Sequence, residues 1–382
     1  MNKTLTITLG ALNEAIGSEC RVAITPESAA KLLKAGVQPA IESGAGVKAG
    51  FTDSDYEAAG VKILSRNEIL KSSDAVAYIS VPESSVIYTQ AKGSFTVGLF
   101  SSLVNKNIAQ QFESAKVTAL DITLLPRQLS RAQSMDAMTS QACVAGYKAA
   151  LLAANEYNAF LPMMSTAAGT IKPAAVLILG AGIAGLQAIG TLKRLGALVT
   201  AYDVRPAAKE EILSLGAKFL DLASFGGPDL SAGQGKGGYA RELTNEEKLA
   251  QQAAVDKAAA QFDIIITTAQ VPGRKPPVLL TKAGVEGLKR GSVIVDIAAS
   301  ALGGNVEGSQ PEMTIQTDSG VKIIGAPYLA STAPKTASNL LARNIADVLI
   351  HFISDGKFVI QDADELAVLA ISAANNRPQS DK

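Results

Sequence analysis

The chain has 382 residues, with 35 Lys and Arg against 35 Asp and Glu, so it carries no formal net charge and no field to draw in nucleic acid or an anionic membrane. At roughly 100 to 200 residues per domain the length suggests two or three domains, and 47% hydrophobic residues supply core enough for them. One histidine, His351, and two cysteines in unrelated contexts, Cys20 and Cys143, exclude His-based triads, most zinc sites and a disulfide framework, so no metal is expected.

The N-terminus lacks the charged-then-apolar pattern of a signal peptide, which predicts a cytoplasmic protein. CRVAIT reads as the first strand, PESAAKLLKAG as a helix with Pro26 in its first turn and Gly36 as its stop, and VQPAIE as the second strand. A helix over residues 54–59, the strand VKIL, the helix NEILKSS and the strands AVAYISV, SFTVGLF and KVTALD follow. Alternation at this spacing predicts a parallel sheet covered by helices on both faces.

After an Arg-, Ser- and Gln-rich loop, residues 135–160 have apolar positions at helical spacing and no proline, which predicts one long helix between two domains. A second series begins at Ala174, with strands AAVLILG, LVTAYD, AKFLDL, DIIITTA, SVIVDIA and VKIIGA. Six strands with intervening helices make a complete doubly wound domain. Six glycines within residues 226–238 predict a mobile surface loop. The helix predicted over residues 336–354 resembles those of the first half, so the chain returns to close its first domain. The predicted architecture is therefore α/β, with two Rossmann-like doubly wound parallel sheets: 1–134 with 330–382, and 135–329. Met163 and Met164 are expected to pack in the hinge, Cys143 in the core, and His351 at the surface.

Gly180, Gly182 and Gly185 form GxGxxG directly after the strand AAVLIL and at the opening of a helix. In that order Gly180 permits the turn, Gly182 lets backbone approach a pyrophosphate, and Gly185 allows close packing below the helix N-terminus that receives the anion. Asp203 ends the next strand, followed by Val204 and Arg205, where an acid accepts from the adenosine ribose hydroxyls. A carboxylate there repels a 2′-phosphate and favours NAD(H) over NADP(H), with Arg205 the opposing cation. The plainer alternative is a tight turn with Asp203 as an N-cap. The apolar run 173–192 reads as this buried strand and helix, with no membrane insertion.

SRAQSMD, at residues 130–136, and PMMSTAAGT, at residues 162–170, go beyond a generic fingerprint. With ECRVAITPESAAKLLKAG and ITTAQVPGRKPPVL, they resemble the soluble NAD(H)-binding component of the proton-translocating nicotinamide nucleotide transhydrogenases, and more distantly alanine dehydrogenase. The resemblance covers about residues 14–355. It implies NAD(H) in the cleft between the domains, and NADP(H) on a partner subunit. It also implies separate membrane-spanning subunits, a homodimer, and a place peripheral to the inner membrane.

By the same resemblance Arg127, Gln133 and Asp136 orient the nicotinamide and its ribose, with Gln128, Leu129, Ser134, Met135 and Thr139 completing that loop. The backbone at Ala181 and Ile183, and the side chains of Gln251 and Gln270, come to the nucleotide. Gly237, Gly238 and Tyr239 match the tip of a mobile loop that closes over it. Alanine dehydrogenases carry a lysine and a histidine where this chain has Tyr78 and Leu99, so a stand-alone dehydrogenase lacks its acid–base group. A non-catalytic NAD(H)-binding regulator is the third reading.

Overall fold

The computed structural model describes residues 7–227, 244–270 and 273–372. The chain divides into two compact units, one running to Gln141 and resuming at Ala330, the other Ala142–Leu329. Each is built on a seven-stranded sheet.

In the first unit the strand order is Ala370–Ser372, Thr118–Asp121, Phe95–Gly98, Ala75–Ala77, Ile7–Ala11, Val37–Glu42, Lys62–Leu64. All pairs are parallel except the edge strand Ala370–Ser372, which runs antiparallel to Thr118–Asp121. The second unit repeats the plan: Lys218–Phe219, Leu198–Tyr202, Ala175–Leu179, Ile264–Thr267, Val293–Asp296, Lys322–Gly325, and an antiparallel edge, Thr314–Gln316. The first strand of each unit is central, and the order reverses beside it. Ligands of open α/β sheets bind outside the carboxyl ends of the strands at that reversal.

Both sheets are covered on both faces, as their continuous apolar strands require. Along Ala175–Leu179, Val176 and Ile178 enter one buried cluster, while Leu177 and Leu179 enter another. In the first unit Ala75 and Ala77 face one cluster, and Val76 and Tyr78 the opposite one. The late helix, Pro334–His351, returns to the first unit and lays Leu341, Ile345, Val348 and Leu349 on its sheet.

Several expectations are corrected. CRVAIT is not a strand; the first strand is Ile7–Ala11. Val22 and Ile24 are buried as irregular backbone, tied by the Val22 N–H to Ser338 Oγ and by the Tyr56 hydroxyl to the Ile24 carbonyl. Burial without pairing produces the same apolar run as a strand. The long helix is Ala137–Glu156, opened by the Asp136 carboxylate, which accepts from the Thr139 N–H at 2.9 Å. Met163 and Met164 do not pack in a hinge: they are 66% and 36% exposed beside or within a short hairpin, Met164–Thr166 with Gly169–Ile171. Cys143 is only part-buried, its thiol 3.5 Å from Gln187 Oε1. His351 is part-buried, hydrogen-bonded to Asp364 and edge-on to Phe352. Among the described residues no helix is long and apolar enough to cross a membrane, and no acidic, His or Cys group could hold a metal.

Candidate functional site

The fingerprint of the second unit folds as strand, turn and helix. The strand Ala175–Leu179 leads through Gly180, at φ 101°, into the helix Ile183–Arg194. A Cβ on Gly180 would lie 2.6 Å from Thr268 Oγ1, and one on Gly185 would lie 1.9 Å from the Gly180 carbonyl oxygen. Both positions are therefore closed to any side chain. Gly182 differs, because a Cβ there would meet nothing within 4 Å, so its bareness serves an approach from outside.

Gly182 is also the N-cap, and no side chain satisfies the first amides of this twelve-residue helix. Uncapped amides and the positive end of the helix dipole face open space there, an arrangement that can receive an anion. The first turn is held from behind by the long helix, where Gly146 approaches so closely that a Cβ would lie 2.0 Å from the Ala184 carbonyl oxygen. Ala181 is fully buried and Ile183 is 43% exposed.

Asp203 stands just beyond the strand Leu198–Tyr202, at the expected ribose position. Its Oδ2 accepts the Ala181 N–H at 2.8 Å, and its Oδ1 accepts the Arg205 N–H at 2.9 Å and the guanidinium at 3.0 Å. Arg205 also donates to the Ala181 carbonyl at 3.1 Å, and its hydrogen bond to Asp203 holds its pKa above the ordinary arginine value. The guanidinium is thus turned onto Asp203 and the fingerprint turn. Val204 is half exposed. Gln251 donates to the buried Tyr202 hydroxyl, whose pKa burial raises, and Gln270 donates to the Ile297 carbonyl at 3.0 Å. Gly237, Gly238 and Tyr239 lie outside the described residues.

The loop at residues 127–136 belongs to the first unit and contains a 3-10 turn, Ser130–Met135. Ala132 and Met135 are buried and Leu129 packs against the same core, so these three side chains anchor the loop. Arg127, Gln128, Gln133 and Ser134 point to solvent. Asp136 accepts from the Thr139 hydroxyl at 2.7 Å and lies 3.9 Å from Arg127 Nε.

The sequence reading missed what clamps this loop. Asn344, 8% exposed, donates to the Ser134 carbonyl at 2.7 Å and accepts from Ser140, while Arg131 pairs with Asp364 and Glu365. A helix residue two hundred positions away carries no local signal of that contact.

Tyr78 is 1% exposed and its hydroxyl donates to Gln90 at 3.2 Å; burial pushes its phenol far above the ordinary value. Leu99 packs on the core. At this end of the first sheet Glu14 accepts the Ile79 and Ser80 N–H groups, and burial pushes it up to about 7.

The open helix terminus, the space before Gly182 and the fixed Asp203 carboxylate fit a dinucleotide without rearrangement of the turn. Residues 10–145 match the family described as alanine dehydrogenase/PNT, N-terminal domain, and residues 149–377 match alanine dehydrogenase/PNT, C-terminal domain. The chain is 42% identical over 360 residues to a Rickettsia prowazekii protein named as the first portion of NAD(P) transhydrogenase subunit alpha, covering 92% of this chain and 91% of that one. It is 41% identical to NAD(P) transhydrogenase subunit alpha of Cereibacter sphaeroides over 89% of this chain, spanning 64% of that longer protein. The crystal structure of transhydrogenase from Sinorhizobium meliloti superposes with a TM-score of 0.79 at 35% identity, covering 92% of this chain and 98% of that one.

Proposed function

The chain belongs to the alanine dehydrogenase/PNT family, and within it we propose that it is the NAD(H)-binding peripheral subunit of a proton-translocating transhydrogenase. It takes NADH and passes hydride to NADP+ held on an NADP(H)-binding partner subunit, while membrane-spanning subunits move protons. It works as a homodimer on the cytoplasmic side of the inner membrane.

The observation that carries this reading is an open helix start with the Asp203 carboxylate beside it, in a chain that has Tyr78 and Leu99 at the two positions where a dehydrogenase carries lysine and histidine. Tyr78 is buried, Leu99 is partly buried against the core, and the single histidine is engaged by Asp364. Bound dihydronicotinamide supplies the hydride, and its direct passage to a second nicotinamide ring needs no proton at the reacting carbons.

The chain's own residues bind and orient. The helix amides beyond Gly182 receive the pyrophosphate, and Asp203 receives the ribose hydroxyls and repels a 2′-phosphate. Arg127, Gln133 and Asp136 orient the nicotinamide end, on a loop whose Ala132 and Met135 are fixed in the core.

The test mixes the full chain with NADH and the NADP(H)-binding subunit of a related complex loaded with NADP+, and separately with NADH, pyruvate and ammonium. Oxidation of NADH in the first mixture alone is expected. Oxidation in the second would make the chain a dehydrogenase, and oxidation in neither would make it a regulator.

A further inference from the structure

A buried polar network of the second unit lies at the carboxyl ends of its fourth and fifth parallel strands, Ile264–Thr267 and Val293–Asp296. Asp296 is fully buried. Its Oδ1 accepts from Thr267 Oγ1 and the Ala298 N–H, both at 3.0 Å, and its Oδ2 accepts the Asn305 N–H at 3.0 Å and the Val306 N–H at 3.3 Å. A carboxylate so placed bends the chain after the strand back over itself. The bend also explains the two glycines before Asn305. Gly303 sits at φ 119°, and a Cβ on Gly304 would lie 2.2 Å from Asp296 Oδ2.

Asn305, also fully buried, passes this rigidity to the neighbouring loop. Its Oδ1 accepts the Ala269 N–H at 2.9 Å, and its Nδ2 donates to the Ala269 carbonyl at 2.8 Å and the Pro277 carbonyl at 2.7 Å. Its own carbonyl accepts from Leu279 and Leu280. Every polar atom of the residue is used, so the amide holds both ends of the loop that follows the fourth strand. That loop in turn supports the fingerprint, because Thr268 Oγ1 donates to the Gly180 carbonyl at 2.8 Å. Buried, fully satisfied networks of this kind specify one conformation.

The strand order assigns the network to one half of the ligand. In a doubly wound sheet the first and second strands take the adenosine mononucleotide, and the half built from the later strands takes the other one. Asp203 lies on the first half; Ala269, Asn305 and Asp296 lie on the second. We propose that Asn305, backed by Asp296, is a positioning residue that fixes the nicotinamide-side wall of the dinucleotide site, acting through the Thr268 and Ala269 backbone without touching the cofactor. This rests on the reading of the second unit as the NAD(H) site.

The test compares NADH with ADP-ribose, which keeps both the adenosine and the pyrophosphate but lacks the nicotinamide. Titrations use the full chain and Asn305→Ala. The variant is expected to bind NADH about tenfold or more weakly, since it leaves buried donors and acceptors unpaired beside the site, and to bind ADP-ribose within about twofold of wild type. Parallel losses for the two ligands, or none for either, would overturn the positioning role. If wild type binds neither ligand, the NAD(H) reading itself fails, so the two failures are distinct. Amide hydrogen exchange on the wild-type chain covers the case in which Asn305→Ala does not fold. The Ala269 amide is expected to be protected without ligand; exchange there at the rate of an open loop would refute the network's role.

Discussion

The six parallel strands of the two sheets share one order, yet the helix that follows the first strand begins differently in each. In the first unit the helix Pro26–Lys34 is closed by its own sequence: Thr25 accepts from the Ser28 N–H, Ser28 accepts from the Thr25 N–H, and Pro26 brings no N–H at all. The next two helices of that unit, Asp53–Ala58 and Arg66–Ser72, carry the same reciprocal cap. In the second unit the helix Ile183–Arg194 has only Gly182 at its start. Folding alone would favour a cap worth about 1 kcal/mol at that position. Its omission leaves donors for something outside the chain, so one parallel strand order carries a closed helix start in the first unit and the proposed anion site in the second.

Substitutions can break this contrast. The largest effect is expected for Gly185→Ala, whose Cβ overlaps the Gly180 carbonyl. It should lower the stability of the second unit by about 3 kcal/mol or more in denaturant melts, and abolish nucleotide binding with it. Gly182→Val separates the two roles, because the new side chain enters open space. Its melting curve should match wild type while NADH affinity falls roughly a hundredfold in a fluorescence titration.

Asp203→Ala sharpens the contrast further. It removes the ribose acceptor and frees Arg205, so NADH should bind about tenfold more weakly while the preference over NADPH shrinks or reverses. The smallest effect is expected for Thr25→Ala in the first unit. It should cost about 1 kcal/mol of stability and leave NADH affinity unchanged, since that cap serves only its own helix.

Much of this was readable in the residues because it is written locally. The fingerprint glycines, the acid at the end of the next strand and the six parallel strands of the second unit each follow from spacing over a few positions. What escaped was set by contacts between distant segments. Ile7–Ala11 is a central strand only because Val37–Glu42 and Ala75–Ala77 flank it, whereas the apolar Val22 and Ile24 bond side chains and join no strand ladder. The antiparallel edges Thr314–Gln316 and Ala370–Ser372 are too short to show a period. Asn344 beneath the 130–135 turn and Asn305 beneath Ala269 look like ordinary polar residues until the fold buries them. Within SRAQSMD, Met135 and Ala132 commit their side chains to the core and leave Gln133 and Ser134 outward, a division that the run of residue types does not mark.

Amide hydrogen exchange of the full chain with and without NADH tests the open-versus-closed contrast most directly. NADH is predicted to slow exchange at the amides of Ile183, Ala184 and Gly185, and to leave those of Glu27 and Ser28 as they were. Unchanged exchange at the first three with NADH bound, or equal slowing at both helix starts, would contradict the assignment of the anion site to the uncapped helix.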